Sequence, residues 1–542
     1  MRLRFPSGRR VPQLLVPSAT LRAVVGACVT LALAAGVART AFAVGATLPA
    51  GFTDHTIATG FDFPVNMAFL PDGRLLFVQH YDGKVRLIAN GALAPGDPVC
   101  VIDSVNSSSE RGLLGIAIDP GWPARPYVYL QFTWTGGPFE RIARYTATGD
   151  LDFTGDGHLS ISNASRFEIL PNLTDSVQFH NGGTLQFGPD GMLYSSVGDD
   201  VGAFCGAQAK GLLRGKILRL DVSSLPPGPG GPPALATITP ADNPFVADPR
   251  PTARLVWQFG LRNPFSFEID PASGNLVIAE PGDNTYEELD LATAPGLNFG
   301  FPYYEGPRWT GYPCANPDTL GGITGPIYYY DRTEFTHGAA IVTGGVYHRP
   351  ATGADRFPAE YEGDIFLSDV GEGFLRRLHF DGTSWVLAAP VAGQPNATDW
   401  ALNMDGTTDY VERPDGSLWY CKHAEGLFSA SGEIHRITYT PPVTGVEPQV
   451  AATRFLPPAP SPFRHEVTLA WTQERAAVAT LTVHDLAGRR IRELASGPSD
   501  QGPHRLSWDG RDAQGAMAPP GLYLFRLSVG DQALTARALK LR

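Results

Sequence analysis

One phrase, a turn signal followed by a short apolar strand, recurs six times along the middle of this chain. It reads Pro71-Asp-Gly-Arg-Leu-Leu-Phe-Val, Pro126-Tyr-Val-Tyr-Leu-Gln-Phe and Pro189-Asp-Gly-Met-Leu-Tyr, then Ser273-Gly-Asn-Leu-Val-Ile-Ala, Glu362-Gly-Asp-Ile-Phe-Leu-Ser and Pro414-Asp-Gly-Ser-Leu-Trp-Tyr. In the Pro-Asp-Gly copies Pro presets φ, Asp caps the turn and Gly accepts a positive φ. Each phrase precedes a second strand of alternating character, at 84–88, 141–146, 216–221, 287–292, 375–380 and 433–439. No long amphipathic pattern separates the copies, and the 61 Gly and 48 Pro of the 542 residues argue against a helical bundle. A lone four-stranded sheet cannot bury both faces, whereas six closed into a ring bury them and leave only short edges. The spacing predicts an all-β chain with a six-bladed β-propeller over residues 48–440.

The flanks read differently. Residues 1–43 carry six Arg and no acid, then an uncharged apolar run from Ala23 to Ala38 and a small-x-small site at Ala41-Phe-Ala43. That is the pattern of a secretory signal cleaved after Ala43, and no span of membrane length follows it. Four cysteines then remain, Cys100, Cys205, Cys314 and Cys421. In an exported chain they predict two disulfides among three connectivities, with Cys205–Cys314 preferred because both lie in long loops of the same half. Residues 441–452 read as a Pro-rich linker. Residues 453–542 alternate as a small immunoglobulin-like β-sandwich, with Trp508 and Tyr523 in its core. Its phrases Pro460-Ser-Pro-Phe, Asp485-Leu-Ala-Gly-Arg-Arg, Trp508-Asp-Gly-Arg-Asp and Pro520-Gly-Leu-Tyr resemble the flagellar hook-capping immunoglobulin-like domain and the sorting domains of type IX secretion substrates. That resemblance implies a cell-surface or secretion partner and no chemistry.

Charge narrows the function. Residues 44–447 hold 24 basic and 46 acidic side chains, a net of −22, which opposes nucleic-acid binding and suits a divalent cation and a neutral substrate. Propellers bind ligands on loops at one end of the channel, so polar residues flanking blade strands are the candidates. His180-Asn-Gly-Gly precedes a blade strand and Gly198-Asp199-Asp200 ends the next one. An imidazole beside a carboxylate is a general-base arrangement, the acid holding one ring nitrogen while the other takes a proton. Gly260-Leu-Arg262-Asn263-Pro264 supplies a guanidinium and an amide. Glu280-Pro-Gly282-Asp283-Asn is an acidic turn whose Gly lets backbone carbonyls converge, as calcium requires. His80, His337, His379 and His423 lack metal-ligand spacing and read as strand-end or loop residues. No Gly-x-Gly-x-x-Gly opens a helix, so a nicotinamide cofactor has no support.

Taken in order, Glu110-Arg-Gly-Leu-Leu-Gly-Ile-Ala, His180-Asn-Gly-Gly, Gly198-Asp199, Arg214-Gly-Lys-Ile-Leu-Arg-Leu-Asp, Gly260-Leu-Arg262-Asn263-Pro and Asn298-Phe-Gly-Phe-Pro resemble the soluble glucose/sorbosone dehydrogenase family over roughly residues 50–440. That family includes pyrroloquinoline-quinone-dependent aldose dehydrogenases, whose six-bladed propellers hold the quinone and a calcium ion over the channel. The resemblance implies that His180 removes the anomeric hydroxyl proton while hydride passes to the quinone. It implies that Asp199 orients His180, that Arg262 stabilises developing charge, and that Asn263 contacts the cofactor. The carbonyls of Gly282 and Asp283 would bind calcium. Two positions depart from the catalytic pattern: His348 and Glu372 align with bases that meet quinone carboxylates, with Arg349, Arg376 or Lys210 as substitutes. Glu110 stands where catalytic members carry Gln.

The reading is therefore an exported quinoprotein that oxidises the anomeric carbon of an aldose to a lactone, using pyrroloquinoline quinone and calcium and passing electrons to an external acceptor. It would be secreted, periplasmic or at the cell surface. The alternative is a non-catalytic, calcium-stabilised propeller that binds carbohydrate or protein at the cell surface. A third reading, a calcium-dependent lactonase, rests on the acidic channel.

Overall fold

The computed structural model describes residues 45–541 except 203, 313, 315–321, 336–338, 424–430, 442–452 and 531. The predicted export signal, nearly all of the predicted linker and His337 lie outside the described residues. Two compact units divide the chain after Thr440.

Among the described residues the first unit holds six antiparallel sheets of four or five strands and a small two-stranded one, Tyr304–Glu305 with Arg308–Trp309. The innermost strands of the six are Pro64–Phe69, Leu113–Ile118, Gly182–Phe187, Ser266–Ile269, Ile341–Val346 and Thr407–Glu412. Each inner strand packs beside the next, and the sixth packs against the first, so the ring closes. The recurring phrases form the second strand of every blade, for example Leu75–Gln79, Leu193–Val197 and Leu418–Lys422. The Gly of the three Pro-Asp-Gly turns takes φ of 88°, 75° and 85° at residues 73, 191 and 416, as the turn chemistry predicts. Closure uses the chain's beginning. Phe52–Phe61 pairs antiparallel with Gly432–Tyr439 as the outer strand of the sixth blade.

The core lies between blades, in six apolar clusters, one per neighbouring pair. Successive side chains on a strand point to opposite faces, so each strand feeds two clusters. Ile116 packs toward the first blade and Ala117 toward the third; Val277 packs toward the fifth and Ile278 toward the third. This is why the blade strands read as near-continuous apolar runs.

Cys205 and Cys314 form a disulfide, the preferred pairing. The second expected disulfide does not form. Cys100 and Cys421 are buried free thiols in two different inter-blade clusters, packed as small apolar side chains.

The second unit is two sheets, one of three strands and one of four. Trp508 is fully buried between Phe463 and Tyr523, as expected of the sandwich core.

Candidate functional site

Every inner strand runs the same way through the ring, which gives it two mouths. Residues within one position of the strand starts (Val65, Leu114, Gly182, Phe265, Ala340, Thr408) line a cavity of about 500 Å³. Residues at the strand ends (Phe69, Ile118, Phe187, Ile269, Val346, Glu412) line another of about 580 Å³.

His180 stands at the first mouth, in a left-handed conformation (φ 62°) that few non-glycine residues adopt. Its neighbours hold it there. The His180 N–H donates to Glu110 Oε2 at 2.8 Å, and Nδ1 lies 2.7 Å from Asp199 Oδ1. A Cβ on Gly198 would come within 1.9 Å of the His180 carbonyl oxygen, so only glycine fits between the imidazole's backbone and its carboxylate partner. Asp199 is almost wholly buried and its N–H donates to the Arg262 carbonyl at 2.7 Å. The carboxylate fixes the proton on Nδ1 and leaves Nε2 as the acceptor.

Arg262 and Asn263 are carried by Glu280, whose Oε1 accepts both backbone N–H groups at 2.5 and 2.8 Å. Burial raises the Glu280 carboxyl well above its usual range. Arg262 Nη1 donates to the Pro281 carbonyl at 3.0 Å and Nη2 lies 3.4 Å from Asp283 Oδ1. Asn263 Oδ1 accepts the Gly182 N–H at 3.1 Å, tying the third and fourth blades together beside His180. Thus His180, Arg262, Asn263, Glu110, Gly282 and Asp283 all line the first mouth, with Asp199 behind His180.

Two neighbours, Arg332 and Phe63, have no counterpart in the sequence reading, and two histidines read only as strand-end residues join them. Arg332, at the start of a one-turn 3₁₀ helix, lines the mouth; its Nη1 donates to the Gly282 carbonyl and, at 3.3 Å, to that of Asp283. Phe63 and His423 stack with centroids 4.4 Å apart, forming a flat wall. His80 beside them is pushed down to about 4 by burial, so it is neutral at physiological pH. His80 and His423 do follow strand ends, as expected, but those ends open on this mouth. Arg332 sits in an irregular turn that no periodicity marks.

His348 requires a correction. It lines the second mouth, with Nε2 2.7 Å from Asp270 and Nδ1 3.0 Å from Glu362. The physical reason is strand direction. His348 follows the end of Ile341–Val346, and inner strands end at the second mouth. Glu372 lies in the turn after Ile365–Asp369 and is outside the lining of the first mouth, as are Arg349, Arg376 and Lys210. The carbonyls implied for calcium are also otherwise engaged, since Arg332 takes both.

Six blades closed into a ring, with an imidazole–carboxylate pair and two guanidiniums at a cavity on one mouth, define the chain as a β-propeller. The chain belongs to the glucose/sorbosone dehydrogenase family, whose model matches residues 61–426. Residues 461–532 match the FlgD immunoglobulin-like domain. The HIPL1 protein of Arabidopsis thaliana is 34% identical over 234 residues, 39% of this chain and 32% of that protein, so the chain spans about a third of its length. The aldose sugar dehydrogenase YliI of Escherichia coli is 24% identical over 59% of this chain and 78% of its own. The PQQ-bound form of the aldose sugar dehydrogenase of Streptomyces coelicolor superposes with a TM-score of 0.51 at 23% identity, over 72% of this chain and 99% of that one, a likeness of fold.

Proposed function

We propose that this chain is an exported aldose dehydrogenase that works with pyrroloquinoline quinone at the first mouth. The observation that carries the reading is the His180–Asp199 contact of 2.7 Å at the same mouth as Arg262. His180 Nε2 takes the proton of the sugar's anomeric hydroxyl, and the buried Asp199 carboxylate balances the charge the ring gains. Arg262 and Arg332 supply fixed positive charge, and Asn263 braces the wall beside His180 through the Gly182 N–H.

The residues present fit a flat, carboxylate-bearing quinone. The cavity is of small-molecule size, it offers two guanidiniums, and the stacked Phe63–His423 pair gives a flat aromatic face. When bound, such a cofactor accepts a hydride from the sugar's C1, which the protein's own side chains cannot do. Calcium does not fit in the same way, because its implied carbonyls already accept hydrogen bonds from Arg332. The disulfide and the N-terminal signal pattern support an extracytoplasmic location.

The second reading, a binding propeller without turnover, is favoured by one observation: His348 and Glu372, at the positions aligned with bases, both lie outside the lining of the first mouth. Reconstitution separates the two. The mature chain with added quinone should reduce a dye in the presence of at least one aldose from a panel, and His180→Ala should not. Absence of quinone binding and of turnover would leave the binding propeller.

A further inference from the structure

The turn from Glu280 to Asn284 points three carbonyls toward the first mouth, and guanidiniums take all three. Arg262 Nη1 donates to Pro281 O at 3.0 Å; Arg332 Nη1 donates to Gly282 O and, at 3.3 Å, to Asp283 O. Arg332 is no loose side chain. Its N–H donates to the Thr285 carbonyl at 2.9 Å, Nη2 donates to Ala339 O at 3.3 Å, and Nε lies 3.3 Å from the fully buried Glu287 Oε1. Burial raises Glu287 to about 7, and the Arg332 charge beside it pulls it back down.

The carbonyl cradle is also rigid. A Cβ on Gly282 would meet the Tyr286 carbonyl oxygen at 1.6 Å, and Glu305 Oε1 accepts the N–H groups of Asn284 and Thr285, both at 2.7 Å. Carbonyl oxygens fixed in this way attract a cation, and a guanidinium answers them with a charge that is never lost to deprotonation. A divalent ion on Gly282 O and Asp283 O would have to evict Arg332 and bring its own charge beside the displaced one.

We infer that Arg332 is a built-in cation that takes the place of calcium at this mouth, so that the site assembles without a metal. The inference deepens the proposed function and rests on it for the role of the mouth.

Calcium uptake by the cofactor-free full chain, followed by equilibrium dialysis and by thermal midpoint, tests it without quinone or sugar. Arg332→Ala should bind one calcium more than wild type, with a Kd on the order of 10⁻⁴ M, and its midpoint should rise by about 2–4 °C in excess calcium. Wild type should show neither change at these carbonyls. Where Arg332→Ala fails to fold, Arg332→Gln removes the charge, keeps an amide donor and carries the same expectation. Equal stoichiometry in wild type and variant would overturn the inference, as would a calcium-soaked wild-type crystal with the ion on Gly282 O and Asp283 O. A wild type that oxidises aldoses yet holds calcium there would sink this inference alone.

Discussion

The two mouths of the ring are made by the same six strands, yet they differ in kind. The second mouth is lined by turns of the repeat itself, with Pro71, Pro189 and Pro414 from the Pro-Asp-Gly phrases and Pro120 and Pro271 from equivalent turns. Its His348 is pinned between two carboxylates. The first mouth is lined chiefly by residues that do not repeat from blade to blade: His180, Arg262, Arg332 and Phe63. The repeated end of the blades carries turn chemistry, and the unrepeated end carries the reactive groups. In a ring built by repetition, chemistry is concentrated where the repetition stops.

The largest effect that could break this contrast is His180→Ala. Aldose oxidation should fall by about 10²- to 10⁴-fold, the usual worth of a positioned base, while His348→Ala stays within about twofold of wild type. Comparable losses at both mouths would erase the distinction. Next comes Arg262→Ala, expected to lower kcat by about 10²-fold and to raise KM much less, because its partner charge develops at the transition state. The reverse split would assign Arg262 to binding alone. Asp199→Asn should cost about tenfold in kcat with KM nearly unchanged, as befits a positioning residue that acts through His180. A rise in KM without a fall in kcat would make its role structural.

The smallest effect belongs to the second mouth and to stability. Burial raises Glu268 to about 8 and Glu412 to about 7, well above an unfolded carboxyl near 4.5. Folded carboxyls then hold protons that the unfolded chain has released, so their contribution is complete below about pH 4.5 and is lost as pH rises through 7 to 8. Between pH 5 and pH 8 the thermal midpoint of wild type should fall about 1–3 °C further than that of Glu268→Gln, whose turnover should match wild type. Parallel midpoint curves would remove Glu268 as the source.

Much of the scaffold is written locally. The Pro-Asp-Gly turns and their apolar strands need only neighbours along the chain, and Leu75–Gln79 and Leu193–Val197 fall where the phrase puts them. The strand that closes the ring is not local. Phe52–Phe61 pairs with a segment some 380 residues away, and nothing near it announces that partner. The site divides in the same way. His180 and Arg262, 82 positions apart, carry ordered motifs that put them on one list of candidates, and both line the first mouth. His348 carries an equally visible motif and lies at the other end, because strand direction, not motif, decides which mouth a residue faces. Arg332 carries no motif; its place follows from a 3₁₀ turn braced by Asp331, Thr285 and Glu287. Cys100 and Cys421 show that counting thiols does not pair them once each is enclosed in its own cluster.

The central claim is that sugar C1 gives up its hydride at the mouth where His180 takes the proton. Single-turnover mixing of the quinone-loaded chain with an aldose deuterated at C1 tests it most directly. The account predicts quinone reduction slowed several-fold by the deuterium and abolished in His180→Ala. Reduction indifferent to the label and undiminished in that variant, or no reduction by any aldose, would contradict it.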